Sequence, residues 1–313
     1  MKILKICFTD FWFGFNNNNN FFTNKLQKLF IIEIDEINPE LIIYSTYGTK
    51  FLKYPRAIKV IYIAENVRPS YLESDYSLSF DYPTNNNKNL RYPLYVLYGI
   101  APAIFSPKDP EKILINKKKF CNMVVSNGAA KERIEFFNIL NKIQRVDSGG
   151  KILNNIGGPV SDKLSFIKDY RFSIAFENSS FPGYTTEKIL EPMKVNSVPI
   201  YWGSPIVTEE FNEKSFINVH AFSDLKAAAN HVIKVENNLE LLKSMLSEPW
   251  FKNNKITRYF EDDEFNLFFE SIIENNKIYS KYYYTIKQGK AIYNVIRKKI
   301  MCKIYKKAYC HVS

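Results

Sequence analysis

The chain has 313 residues, of which 46% are hydrophobic and 16% are aromatic. These values exclude a disordered chain, and the length predicts two α/β domains and a tail. The net charge of +11 first suggests a nucleic-acid-binding protein, but nine Lys and Arg residues lie in residues 281–313, which contain no Asp or Glu. The other 280 residues carry about +2, which is ordinary for a soluble enzyme, so we expect no nucleic-acid partner.

The N-terminus begins like a signal peptide, but Asp10 interrupts its apolar run and no small-residue cleavage site follows. We interpret this segment as a first strand, and no segment is long enough to span a bilayer. The cysteines are scattered without metal-ligand spacing; they are Cys7, Cys121, Cys302 and Cys310. We expect reduced thiols in a cytosolic compartment.

Short apolar runs alternate with helical stretches along the body, which is typical of an α/β fold. Continuous apolar runs indicate parallel strands covered by helices on both faces. The predicted strands are residues 3–8, 41–44, 59–64, 76–79, 123–126, 172–176 and 198–201. Ligands of such sheets bind at the carboxyl ends of the strands. In this sequence, polar pairs such as Glu65-Asn66 and Glu177-Asn178 follow predicted strands directly. A segment rich in Pro and Lys, residues 101–119, is predicted to connect the two halves.

Residues 176–190, FENSSFPGYTTEKIL, join a predicted strand to a predicted helix through a loop. The helix is expected over residues 187–196, with Thr185 or Thr186 as its N-cap. The loop therefore places several polar side chains at the start of a helix.

Lys188 falls in the first turn of that helix, where the helix dipole favours anions. An anionic ligand such as a diphosphate would explain a lysine there, with Glu187 and Tyr184 holding sugar or ribose hydroxyls. A capping arrangement, with Glu187 near the N-terminal amides and Lys188 solvated, explains the pattern equally well. The residues of this stretch alone leave both interpretations open.

The basic C-terminal segment is predicted to form an amphipathic helix. Its apolar residues recur at one-turn spacing with lysines between them: Ile300, Met301, Ile304, Tyr305, Ala308 and Tyr309, with Lys299, Lys303, Lys306 and Lys307. Such a helix suits an anionic membrane surface, where each Lys or Arg adds about 1 kcal/mol. We therefore predict a cytoplasmic protein that associates peripherally with the membrane through residues 281–313. A solvated charge run, a helix packed on the body and an RNA-binding tail are the alternatives.

The stretch FENSSFPGYTTEKILEPMKVNSVPIYWGSP, residues 176–205, closely resembles the donor-binding signature of the family-10 α-1,3/4-fucosyltransferases. NEKSFINVHAF, residues 212–222, continues the resemblance, which extends from the first strand to about residue 270 and is strong from residue 120 onward. The chain is most similar to the bacterial lipopolysaccharide-modifying members, which also carry basic, aromatic tails.

The resemblance implies a GT-B architecture, in which two Rossmann-like domains face a central cleft. Residues 1–115 would form the acceptor-binding domain and residues 116–270 the GDP-fucose-binding domain. Residues 271–313 would form the basic tail.

The resemblance also implies which residues bind GDP-fucose. They are Asn178 of FEN, Tyr184, Glu187 and Lys188 of TEK, and Arg133 within SNGAAKERIEFF. The glutamate of a short GEN element corresponds to Glu65, although Ala64 here replaces the glycine. Glu65 is the candidate catalytic base.

The implied reaction moves fucose with inversion from GDP-β-L-fucose to a GlcNAc-containing glycan such as N-acetyllactosamine, in α-1,3 or α-1,4 linkage. Glu65 would take the proton of the acceptor hydroxyl. Arg133 and Lys188 would hold the departing diphosphate in place of a metal ion, so we expect no required cofactor and no metal site. The alternatives are a GT-B enzyme with another nucleotide sugar or acceptor, and a degenerate transferase that acts as a membrane-binding protein.

Other polar and aromatic residues are interpreted as structural or left open. The acidic run at residues 261–264 is expected to be a solvated helix face, and His220 and His231 lack ligand-spaced partners. Trp202 suits either the nucleotide cleft or the core.

Overall fold

The computed structural model describes residues 1–82, 87–99, 102–255, 257–275 and 280–305. The chain forms two compact units. The first unit comprises Met1–Leu97 and Arg258–Ser313, and the second comprises Tyr98–Thr257. Each unit has its own parallel sheet, as the continuous apolar runs of the sequence predict.

The first unit is built on a six-stranded sheet with the order β2-β1-β3-β4-β5-β6. Its strands are β1 (Ile3–Thr9), β2 (Ile31–Ile34), β3 (Leu41–Tyr44), β4 (Ile58–Tyr62), β5 (Tyr76–Ser79) and β6 (Asn89–Arg91). Every residue of the central strands β3 and β4 is buried. The helices are α1 (Phe21–Leu26), α2 (Leu94–Leu97), α9 (Asp262–Glu274) and α10 (Lys281–Tyr305).

The second unit is built on a five-stranded sheet with the order β11-β10-β9-β7-β8. Its strands are β7 (Lys119–Met123), β8 (Val146–Ser148), β9 (Tyr170–Phe176), β10 (Val198–Trp202) and β11 (Ile217–Asn218). The helices are α3 (Pro110–Asn116), α4 (Lys131–Ile143), α5 (Lys163–Ile167), α6 (Glu187–Lys194), α7 (Leu225–Glu236) and α8 (Leu239–Ser247). The central strand β9 ends at the loop that the sequence marks as the donor signature.

Most of the predicted strands are confirmed, but the strand predicted at residues 123–126 is wrong. The observed strand β7 ends at Met123. Val125 instead belongs to a loop that approaches Gly150 so closely that a Cβ atom on Gly150 would lie 1.9 Å from the Val125 carbonyl oxygen. The strands β2, β6, β8 and β11 were not predicted, because each has only two to four residues and carries polar side chains.

The chain passes from one unit to the other after Leu97 and after Thr257, whereas the sequence predicted boundaries at residues 115 and 270. The chain returns to the first unit at Arg258, so α9 and α10 both pack there. In α9, Asp262 forms ion pairs with Lys25 and Lys28. The acidic run at residues 261–264 is therefore not simply a solvated face.

The C-terminal helix α10 packs on the body of the first unit along one face. Val295 is only 7% exposed and belongs to a core cluster with Tyr44 and Ile61. Lys298 pairs with Glu73 at 2.8 Å, and further ion pairing is seen between Lys287 and Asp75 at 2.6 Å. The alternative of a helix packed on the body is thus correct for the part of the tail that the structure describes.

Several predicted tail positions cannot be compared with the structure. Lys306, Lys307, Ala308 and Tyr309 lie outside the described residues, as do the side chains of Ile304 and Tyr305. Among the described residues, no helix has the length and apolar character needed to cross a membrane.

The cysteines do not all follow the prediction of reduced thiols. Cys7 and Cys121 are buried free thiols, whereas Cys302 of α10 takes part in a disulfide bond. The prediction is therefore wrong for Cys302, and Cys310 lies outside the described residues. The scattered spacing of the cysteines along the chain contained no signal for that bond.

Candidate active site

The strand β9, the loop after it and the helix α6 form the framework of the candidate site. Thr186 is the N-cap of α6, and its hydroxyl oxygen accepts a hydrogen bond from the Lys188 amide at 3.5 Å. This confirms the predicted helix start at Glu187. The helix ends at Lys194 rather than at residue 196, because Asn196 adopts a left-handed conformation with φ of 56°.

Lys188 is neither solvated nor isolated in this framework. Its ammonium group pairs with Glu177 at 3.2 Å and donates a hydrogen bond to the Thr186 hydroxyl at 3.0 Å. A second carboxylate, that of Glu187, lies 3.4 Å away. Burial lowers the pKa of Lys188, but the two carboxylates outweigh burial and hold the pKa above its usual range. A permanent positive charge therefore stands at the start of α6.

Glu177 is the partner that the sequence analysis did not assign to the site. Its side chain is fully buried and accepts hydrogen bonds from the amide and the hydroxyl of Thr186, both at 2.7 Å. Burial raises the pKa of this carboxyl, and the charge of Lys188 opposes that effect. The position of Glu177 directly after the apolar strand β9 was the sequence signal that could have assigned it to the site. A carboxylate that is buried there needs a cation or several hydrogen-bond donors as partners.

Glu187 keeps one carboxylate oxygen available at the same helix start. Within the described part of the chain, its buried Oε2 atom has no hydrogen-bond partner. Burial raises the pKa of Glu187, but Lys188 and Lys163 outweigh burial and place the pKa below its usual range. An ionised carboxylate with an unused acceptor is suited to a ligand hydroxyl.

Arg133 and Asn178 are brought together at the carboxyl end of β9. Arg133 lies in the first turn of α4 and is only 1% exposed. Its guanidinium donates to the Phe176 carbonyl at 3.1 and 2.6 Å, to the Asn127 carbonyl at 3.0 Å and to Asn178 Oδ1 at 2.9 Å. The arginine thus ties the loop after β9 to α4, and its charge also acts on Lys188.

The other aromatic and small residues of this edge support the loop. Tyr184 is only 1% exposed, and its carbonyl oxygen accepts a hydrogen bond from the Tyr201 hydroxyl at 3.3 Å. The ring of Trp202 stacks with His220 at a centroid distance of 5.8 Å. Gly203 must be a glycine, because a Cβ atom there would lie 2.4 Å from Cγ of Glu177.

Glu65 lies in the first unit, shortly after β4, whereas the donor-signature residues belong to the second unit. The Val67 amide donates to the Glu65 carbonyl at 2.6 Å, which makes a tight turn. Burial, and then the charge of Glu65, raises the pKa of Tyr47 to about 12. The Glu65 carboxylate therefore lies near Tyr47. The residue before Glu65 is the buried Ala64, which replaces the glycine that the resemblance implies.

In the ranges that the structure describes, no group of three or more His, Cys, Asp or Glu side chains could hold a metal ion. The side chains of Arg133 and Lys188 provide positive charge at the candidate site, and the charge of Lys163 also acts on Glu187.

Comparisons with known proteins identify both units. Residues 6–98 match the model of the alpha-(1,3)-fucosyltransferase FucT N-terminal domain, and residues 114–265 match the C-terminal model of glycosyltransferase family 10 (fucosyltransferase). An alpha-(1,3)-fucosyltransferase FucT of Helicobacter pylori is 32% identical over an alignment of 266 positions, and the match covers 74% of this chain and 56% of that protein. The chain thus spans little more than half the length of this relative.

Solved structures agree with the family models. An alpha1,3-fucosyltransferase crystallised with GDP is 28% identical, with a TM-score of 0.76 over 88% of this chain and 92% of that one. Another alpha1,3-fucosyltransferase structure, solved with GDP-fucose, is 27% identical, with a TM-score of 0.73 over 90% of this chain and 94% of that one. The chain therefore has an α/β fold of the GT-B class and belongs to the glycosyltransferase family 10 fucosyltransferases.

Proposed function

We propose that this chain transfers L-fucose from GDP-β-L-fucose to a GlcNAc-containing glycan, with inversion, in α-1,3 or α-1,4 linkage. One observation carries the proposal: Lys188, Glu187, Arg133 and Asn178 gather at the carboxyl edge of β9, the usual ligand edge of a parallel sheet. The similar structure solved with GDP-fucose supports the choice of donor.

Lys188 and Arg133 are proposed to stabilise the diphosphate as the fucosyl bond breaks. Negative charge develops on the leaving GDP, and cations that are already fixed in place stabilise it without reorganisation. Lys188 also lies in the first turn of α6, where the helix dipole favours an anion. Glu187, through its unused Oε2 atom, would accept a hydrogen bond from a fucose or ribose hydroxyl. Asn178 and Tyr184 would shape the same loop.

Glu65 is proposed as the general base. Inversion requires the acceptor hydroxyl to attack from the face opposite the leaving diphosphate and to lose its proton as it does so. Glu65 belongs to the first unit, and the proposed diphosphate-binding cations belong to the second. No residue in this scheme requires a metal ion.

The proposed function is tested by measuring GDP release from GDP-fucose with N-acetyllactosamine as acceptor and with a chelator present throughout. We expect acceptor-dependent GDP release that the chelator does not reduce, together with a fucosylated product. Binding of GDP-fucose without turnover would overturn the choice of acceptor. Absence of GDP-fucose binding by the folded protein would overturn the donor, and loss of turnover with chelator would overturn metal independence.

We also propose that the exposed face of α10 binds an anionic membrane surface on the cytoplasmic side. Ile292, Ile296 and Ile300 recur every four residues and are 41–51% exposed. Exposed basic residues flank them, namely Lys290, Arg297, Lys299 and Lys303. Because the opposite face of α10 is docked on the first unit, the membrane would meet a helix that is already folded.

Flotation with phosphatidylglycerol vesicles tests this membrane proposal. Wild-type protein should float with these vesicles and not with phosphatidylcholine vesicles, since each basic residue adds about 1 kcal/mol only at an anionic surface. The double variant Ile292→Glu/Ile296→Glu should remain in the soluble fraction. Ile37→Glu, at an exposed position elsewhere in the first unit, is the matched control and should float like wild type. Equal flotation of all three proteins would contradict the proposal.

A further inference from the structure

A cavity of about 230 Å³ lies at the amino ends of β4, β5 and β6 in the first unit. Arg56, Asp75 and Lys88 line it, and each of them lies one or two residues before one of these strands. Glu65 follows the carboxyl end of β4. The cavity is therefore at the other end of the strands from the proposed catalytic base.

The end of α9 and the start of α10 close the cavity. Ile272 and Asn275 line it from α9 and its C-cap, and Tyr283, Tyr284 and Lys287 line it from the first two turns of α10. The first turn of α10 contains no acidic residue. Because the dipole at the start of a helix favours negative charge, an anion in the cavity would be stabilised there.

Positive charge exceeds negative charge in the described lining of the cavity. Arg56, Lys88 and Lys287 are basic, whereas only Asp75 is acidic. Lys287 pairs with Asp75 at 2.6 Å. Arg56 is exposed, and its guanidinium forms no ion pair and no hydrogen bond with the described residues. The lining therefore offers a guanidinium that can bind an anion through two parallel hydrogen bonds.

A buried lysine adds to this positive charge. Lys59 of β4 is only 1% exposed, and its ammonium group has no hydrogen bond or ion pair in the part of the chain that the structure describes. Burial, and then the charge of Lys287, lowers the pKa of Lys59 to about 8, while Asp75 opposes this effect. Lys287 and Asp75 both line the cavity, so the charge of Lys59 lies close to its wall.

The size and charge of the cavity suit one phosphate group. Its volume is below the roughly 300–1,000 Å³ of pockets for larger ligands, which excludes a whole nucleotide sugar. A phosphate monoester carries about −1.5 to −2 charges at pH 7 and three acceptor oxygens. Because a buried charge without a partner is costly, such an anion would also reduce the repulsion between Lys59 and Lys287.

We propose that this cavity binds a phosphate group, either of a lipid headgroup or of free phosphate, through Arg56, Lys88 and Lys287, with Lys59 as a supporting charge. The site is independent of the proposed function, because it lies away from Glu65 and requires no fucosyl transfer. Bound phosphate would join the start of α10 to the sheet and so stabilise the packing of the C-terminal helix.

Titration of the full chain with inorganic phosphate, followed by phosphorus NMR at constant ionic strength, tests the site. The double variant Arg56→Gln/Lys88→Gln should raise Kd by roughly tenfold or more, the range of a lost charge-assisted hydrogen bond. Lys2→Gln/Lys53→Gln is the matched control, because it removes two exposed cations of the first unit that do not line the cavity. Its Kd should equal that of wild type. Equal Kd values for the two double variants, or no saturable binding by wild type, would overturn the site.

Thermal unfolding with and without phosphate tests the role of Lys59. A ligand that binds only the folded state raises the melting temperature. Lys59→Met removes a buried charge and keeps an apolar side chain, so the variant should melt at a higher temperature than wild type in phosphate-free buffer. The increase that phosphate causes should be smaller in the variant. A lower melting temperature with an undiminished phosphate effect would overturn the supporting role of Lys59.

Flotation with phosphatidic acid vesicles identifies the source of the phosphate group. If a lipid headgroup is the ligand, Arg56→Gln/Lys88→Gln should float less than the control double variant, although both have lost two charges. If free phosphate is the ligand, the two double variants should float equally, while their Kd values for inorganic phosphate still differ. Both results support the site, whereas equal flotation together with equal Kd values overturns it.

Discussion

Replacing Glu65 with glutamine is expected to lower kcat for fucosyl transfer by about 100- to 10,000-fold, the usual contribution of a general base. Glutamine keeps the size and the hydrogen-bonding capacity of the side chain, but it cannot accept the proton of the attacking hydroxyl. Affinity for GDP-fucose should not change, since the proposed donor residues all lie in the second unit. Steady-state GDP release and calorimetric titration with GDP-fucose measure the two quantities separately.

Glu33→Gln is the matched control for Glu65→Gln. Glu33 also belongs to the first unit, its side chain is 52% exposed, and it forms a surface ion pair with Lys5 at 3.4 Å. Such pairs contribute about 0–1 kcal/mol, so this variant should turn over like wild type. A Glu65→Gln enzyme that retained more than about a tenth of the wild-type kcat would exclude Glu65 as the base.

Replacing Lys188 with methionine is expected to cost both stability and donor binding. The change leaves the fully buried Glu177 without its cation, and breaking a buried pair on one side costs about 3–5 kcal/mol of unfolding free energy. If the ammonium also contacts the diphosphate, affinity for GDP should fall by roughly 10- to 100-fold, the range of a charge-assisted hydrogen bond. Denaturant unfolding and calorimetric titration with GDP measure the two losses.

The double variant Lys188→Met/Glu177→Gln separates the two roles of Lys188. Glutamine is neutral and can still accept a hydrogen bond from Thr186, so most of the lost stability should return. GDP affinity should stay low, because the cation is still missing. Recovery of GDP affinity together with stability would show that Lys188 serves the fold alone. Lys142→Met, at an exposed position of α4, is the control for the loss of one lysine and should behave like wild type.

Local patterns in the sequence were sufficient for the framework of both units. The continuous apolar runs predicted parallel strands, because strands that are buried on both faces need no polar alternation. Thr186 could be predicted as an N-cap, since capping depends on a few neighbouring residues. The donor signature at residues 176–205 was long enough to identify the family that the comparisons show.

The pairing of charges across the fold could not be predicted in the same way. Lys188 was equally compatible with solvent and with a ligand, and only the packing of α6 against the end of β9 brings it to Glu177. Arg133 was expected to hold phosphates, yet its guanidinium is buried and also holds the loop after β9. Such contacts join residues that are distant in sequence, so a local sequence pattern cannot predict them.

For the C-terminal helix too, the sequence predicts the element, and only the tertiary structure decides what it contacts. Its amphipathic pattern predicted a helix with one apolar face, and that prediction depends on the sequence alone. Which surface the face meets depends on the shape and charge of its partner: Val295 enters the core of the first unit, and Glu73 and Asp75 pair with lysines of the helix. An amphipathic sequence predicts that a helix will bury one face. The surface on which that face packs forms only when the rest of the chain has folded.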